Sequence, residues 1–136
     1  MNTVILGRQL QRLSYRYPVD VSRDGSVIII REFETPPGYN YHSIDIRLEL
    51  PEDYPASPPG VTPSRVYVPV GLRYQGHKPR DFHPHDSHWA WWCFESMKGW
   101  NPCRDDLITF FEILRLTMTE NSMEGERSWL ERLFSV

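Results

Sequence analysis

A chain of 136 residues can bury about two-thirds of the surface that its unfolded form exposes, so it needs neither a disulfide framework nor a partner to fold. Its formal charge of −3 and pI near 5.9 provide no basic field to draw it to a phosphate backbone, and no apolar run is long enough to cross a bilayer or ordered like a secretory signal. With 40% hydrophobic and 13% aromatic residues the composition is that of a globular protein, expected in the cytoplasm, with Cys93 and Cys103 as thiols rather than as a bridge.

Leu6, Leu10, Leu13 and Tyr17 recur at helical spacing, with Arg8, Gln9, Gln11, Arg12 and Arg16 between them, until Pro18 stops the pattern. This predicts an amphipathic first helix with a basic outer face. Asp24-Gly25 marks a turn before the β-branched run Val27 to Ile30, which continues into Phe33 as a buried strand. After Thr35-Pro36-Pro37-Gly38, the residues Ile44, Ile46, Leu48 and Leu50 alternate with Asp45, Arg47 and Glu49, as in a strand with one wet face. Proline dominates Pro51 to Pro63 and predicts a rigid, extended connection, because it removes backbone donors and fixes φ.

A further short strand is expected within Arg65 to Val70, and Gly71 to Phe82 reads as a polar loop. The stretch around Cys93 reads as irregular. Leu107, Phe110, Phe111, Leu114 and Met118 then form one apolar helical stripe behind Asp105 and Asp106, whose charges suit a helix N-terminus. Trp129, Leu130, Leu133 and Phe134 suggest one more helix. No linker or repeat interrupts this order, so residues 1–136 read as a single α+β domain: an N-terminal helix packed on a meandering antiparallel sheet of about four strands, an irregular active-site stretch, then C-terminal helices.

The chemistry concentrates in His83-Pro84-His85-Asp86-Ser87-His88-Trp89-Ala90-Trp91-Trp92-Cys93 and in Trp100-Asn101-Pro102. Here the chain resembles the ubiquitin-conjugating enzymes, which carry a His-Pro-Asn tripeptide, a cysteine eight residues after its Asn and a Trp-x-Pro before a helix. In this sequence Cys93 follows His85 by eight residues, and Trp100-Asn101-Pro102 precedes a helix expected from about Arg104. Upstream, Leu48-Glu49-Leu50-Pro51-Glu52-Asp53-Tyr54-Pro55 and Pro58-Pro59 are similar to the strand, Tyr-Pro and Pro-Pro segments of the same family. The departures are His85 in place of Asn, a long interval from Tyr54 to His83 and curtailed C-terminal helices. They suggest a divergent member, of the bacterial or archaeal kind that works with its own ubiquitin-like protein and is associated with antiviral defence.

The resemblance implies a UBC-like fold and a transferase that carries a ubiquitin-like protein as a thioester on Cys93 and delivers it to a lysine or other amine. It needs no cofactor, since a separate activating enzyme performs the adenylation. A thiolate suits this work because it both attacks and leaves readily. The partners implied are the ubiquitin-like protein, the activating enzyme and a ligase or protein substrate, with no nucleic acid and no membrane.

His85 is the expected replacement for the oxyanion donor, with Asp86 fixing its tautomer. His83, Pro84, Trp100, Asn101 and Pro102 are expected to brace the active-site loop, and Arg8 and Arg12 to dock the activating enzyme. Three other readings stay open. Cys93 could be a small buried hydrophobe in a non-catalytic binding module of the same fold. Cys103 is a rival nucleophile near a helix N-terminus. His83, His85, His88 and Cys93 are a zinc set by residue type, although without the paired ligand spacing of a structural site.

Overall fold

The computed structural model describes residues 1–61, 64–94 and 99–119. The expected final helix around Trp129 to Phe134 lies outside the described residues.

Helix α1 spans Thr3–Ser14, begun by the Asn2 side chain, which accepts a hydrogen bond from the Ile5 N–H at 3.1 Å. It turns Leu6, Gln9 and Leu13 inward. Six strands follow among the described residues: β1 (Val19–Val21), β2 (Val27–Glu34), β3 (Ser43–Glu49), β4 (Val66–Pro69), β5 (Phe82–Pro84) and β6 (Trp89–Trp92). All neighbouring pairs are antiparallel, in the order β1-β2-β3-β4-β6-β5. A second helix, α2, covers residues 107–119.

The period of two sorts side chains onto the two faces. Ile28, Ile30, Ile46, Leu48, Val66, Val68, Ala90 and Trp92 are all buried and join Leu6 and Leu13 of α1 and Leu107, Phe110, Phe111, Leu114 and Met118 of α2 in one core. Both helices therefore pack on the same side of the sheet. On the other face, register links Ile29, Arg47, Tyr67, Trp91 and His83 as successive cross-strand neighbours.

Three expectations change in detail. The sheet has six strands rather than about four, because β1 and the β5–β6 hairpin are short and the hairpin was read as irregular. The proline-rich segment is not extended: it folds as successive turns, with Tyr54 N–H donating to the Pro51 carbonyl at 3.0 Å and Ala56 N–H to that of Asp53 at 2.8 Å. Finally, α2 starts later than Arg104. Arg104 and Asp105 both donate backbone N–H groups to the Asn101 carbonyl, which closes a separate turn. The helix is then capped by Asp106, whose Oδ1 accepts the Thr109 N–H at 3.0 Å.

Candidate active site around Cys93

Cys93 is the first residue after β6. Its N–H donates to the Asp81 carbonyl at 2.8 Å, so the β5–β6 ladder continues one step beyond the strands. The alternation also continues: Trp92 is fully buried, Cys93 is half-buried, and Phe94 turns inward onto Phe110 with ring centroids 5.7 Å apart. The thiol therefore belongs to the outer face, on a backbone held by packed aromatic residues on either side. Gly60 makes room for Phe94 and Phe110. It has φ +83°, and a Cβ there would lie 2.8 Å from the Phe110 ring.

The outer face near Cys93 is aromatic and charged. Trp91 stacks on His83 at 4.5 Å and 26°, and the Arg65 guanidinium lies 4.5 Å from the Trp91 ring centroid. Glu49 N–H donates to the Arg65 carbonyl at 2.8 Å, which extends the β3–β4 register to that residue. The β4–β6 ladder ends at Val66 and Trp92, and Arg65 and Cys93 are the next residue of each chain beyond it. Cys93 is bonded through its backbone to Asp81 on one side, and on the other the Arg65 guanidinium sits over Trp91, two residues before the thiol. Neither flanking residue is apparent from sequence spacing, since both lie in stretches that carry no motif.

His85 stands elsewhere. Its N–H donates to the Trp89 carbonyl at the closed end of the hairpin, whereas Cys93 pairs with Asp81 at the open end. The four residues from Trp89 to Cys93 correspond to about 13 Å of strand. Its ring rests against Tyr67, 5.1 Å between centroids. The backbones of His85 and Cys93 thus lie at opposite ends of the hairpin, and Asp86 closes its turn. Its Oδ1 accepts the His88 and Trp89 N–H groups at 2.8 and 2.7 Å, closing the hairpin turn, and these bonds hold its carboxyl below the usual carboxylate range.

The bracing residues sit as follows. His83 is exposed on Trp91, and Pro84 lies on the edge strand β5, where a missing N–H costs no ladder bond. Trp100 donates its indole N–H to the Pro55 carbonyl at 2.9 Å and packs on Tyr54 at 6.4 Å. Asn101 uses Oδ1 to accept the Cys103 N–H at 2.9 Å, while its own N–H donates to Asp105 at 2.8 Å. The Arg104 guanidinium, followed by that Asn101 bond, lowers the Asp105 pKa. Pro102 and Cys103 are exposed on this turn.

On α1, Arg8 is exposed and Arg12 reaches Asp106 at 2.8 Å. Among the described residues no three His, Cys, Asp or Glu side chains gather closely enough to hold a metal ion, and no helix is long and apolar enough to cross a membrane.

A family model described as prokaryotic E2 family E matches residues 6–121. No curated protein and no solved structure matches the chain significantly. The family match runs from the first turns of α1 through the described part of α2 and includes both cysteines, the β5–β6 hairpin and the Trp100 turn. The chain therefore belongs to prokaryotic E2 family E, and with it to the E2-like proteins of ubiquitin-like-protein conjugation.

Proposed function

We propose that Cys93 takes the C-terminus of a ubiquitin-like protein from the thioester of an activating enzyme and passes it to a lysine or other amine, in a prokaryotic conjugation pathway of the kind that resemblance links to antiviral defence. The observation that supports this most is the setting of the thiol: half-buried at the end of β6, on the outer face, with its backbone clamped to Asp81. A nucleophile that must meet two large partners in turn needs access and a fixed position together. Cys103 has access but lies on an exposed turn.

In the charging step the Cys93 thiolate attacks the carbonyl carbon of the incoming thioester, a new S–C bond forms, and the activating enzyme's thiolate leaves. In discharge a neutral amine attacks the same carbon. The C–N bond forms as electrons move to the carbonyl oxygen, the oxyanion collapses with expulsion of the Cys93 thiolate, and the amine proton passes to solvent. The exposed Arg8 and the Arg12 head group of α1 would meet the activating enzyme.

With ATP, activating enzyme and ubiquitin-like protein present, the chain should form a conjugate that dithiothreitol removes. Cys93→Ala should abolish it and Cys103→Ala should leave it intact. The reverse pattern would move the nucleophile to Cys103, and a wild-type chain that binds the ubiquitin-like protein without ever charging would be a non-catalytic binding module.

A further inference from the structure

Cys93 is flanked on the outer face by two opposite charges, held in different ways. In the β4–β6 pair, Val70 N–H bonds to the His88 carbonyl at 3.0 Å. Hydrogen-bonded and non-bonded pairs alternate along the ladder, which makes Tyr67 with Trp91 a non-bonded pair, in which side chains approach most closely. Arg65 lies one residue beyond the last pair on β4, as Cys93 does on β6, and its guanidinium folds over the Trp91 ring at 4.5 Å. Asp81 and Cys93 form a bonded pair, about 5.5 Å apart by the same geometry, and Asp81 has the Arg80 guanidinium 3.6 Å away to offset its charge. Arg65 is fixed by its seat on Trp91, whose ring His83 supports.

Building on the reading of Cys93 as the carrier, we infer that Arg65 is its electrostatic partner: a guanidinium held on the outer face over Trp91, two residues before the thiol, which favours the thiolate both as nucleophile in charging and as leaving group in discharge. Arginine suits the role because it stays protonated at every pH the thiol samples. A cation a few ångströms from a thiol lowers its pKa, and a thiol of lower pKa leaves faster. Trp91 is then a positioning residue, acting through Arg65. The other charged or titratable groups near this point among the described residues are Glu49 on β3, the buried Tyr67 on β4, which feels the Arg65 charge, and Asp81, Arg80 and His83 on the β5 side. Glu49 and Asp81 oppose the effect of Arg65, so removing Arg65 moves the thiol in one direction only, upward.

The test is the pH profile of Cys93 alkylation by iodoacetamide, a neutral probe, followed by intact mass in a Cys103→Ala background. Arg65→Gln should move the profile up by about one pH unit, the lower end of the range for one neighbouring charge. Near neutrality this slows alkylation up to about tenfold. Arg65→Lys should restore most of the parent profile, Trp91→Leu should shift it upward by less, and Asp81→Asn should shift it downward. A melting curve for each variant identifies those that are folded. A folded Arg65→Gln with the parent profile, or an Arg65→Lys no better than Arg65→Gln, would overturn the inference. Alkylation involves neither activating enzyme nor ubiquitin-like protein. Loss of charging in an otherwise coupled Arg65–Cys93 pair would thus count against the carrier function and leave the pairing standing.

Discussion

A histidine at the third position of a His-Pro-x tripeptide invites a direct part in transfer, while the β5–β6 register sets its backbone at the closed end of the hairpin. His85 bonds to Trp89 through its backbone and rests its ring on Tyr67, while the thiol lies four residues of strand away. A hydrogen-bond donor must come within about 3 Å of the developing oxyanion to lower the barrier, and the contact that the His85 ring makes is with Tyr67. His85→Ala should therefore leave single-turnover discharge of the preformed thioester to a small amine within about threefold of the parent. A donor in place would instead cost about 100- to 1000-fold. A loss of that larger size in a stably folded variant would mean that the hairpin rearranges when charged. Tyr67 supplies the local reason for the ring's position. It is nearly buried on the outer face with Arg47 5.2 Å from its centroid and Glu49 as hydrogen-bond partner, and burial followed by that bond raises its phenol pKa.

At the level of elements, those with a clean period were legible and those fixed by tertiary contacts were not. The alternation from Ile44 to Leu48 named β3 and its wet face, and the stripe from Leu107 to Met118 named the buried side of α2. In β6, by contrast, Trp89 and Trp91 point outward and Trp92 inward, so both faces are aromatic and the period of two shows no polarity. Gln9 was read as part of a polar helix face, yet it is only 7% exposed. Its Oε1 accepts the Tyr54 hydroxyl and, at 3.1 Å, the Leu107 N–H, tying α1, the proline-rich turns and the first turn of α2 together. No local pattern announces such a junction, because each partner comes from a different element. Gln9→Leu strands two buried donors and should lower stability by about 2 to 6 kcal/mol, at about 1 to 3 kcal/mol for each unsatisfied group. Gln9→Glu keeps the acceptor, and its charge suits a helix N-terminus, so it should recover much of that loss in urea titrations. Equal losses for the two variants would mean that side-chain shape rather than hydrogen bonding governs the site.

Across the whole molecule the sheet separates two surfaces, with both helices on one side and the Arg65, Trp91 and Cys93 row on the other. The motif spacing led to Cys93 because it lies within one stretch of chain, whereas Asp81 reaches it through a backbone bond and Arg65 lies near it through its seat on Trp91, contacts that one-dimensional spacing does not contain. The same separation bears on the arginines of α1. Arg12 bonds Asp106, the cap of α2, and so joins the two helices, as does Arg16 just beyond α1, which bonds Glu112 at 3.1 Å. Arg8 is one turn earlier and exposed. If α1 docks the activating enzyme, Arg8→Glu should raise the KM for that enzyme in charging severalfold, leave the melting curve in place and leave amine discharge unchanged, since Cys93, the proposed carrier, lies on the other face of the sheet. Arg12→Ala should combine a weaker docking effect with a stability loss of up to about 1 kcal/mol, as expected for an ion pair with one half exposed. Added salt should weaken docking in the parent more than in Arg8→Glu, because the screened attraction is the one that the substitution removes. An Arg8→Glu variant with unchanged charging at every salt concentration would place the docking surface elsewhere than the arginine stripe of α1.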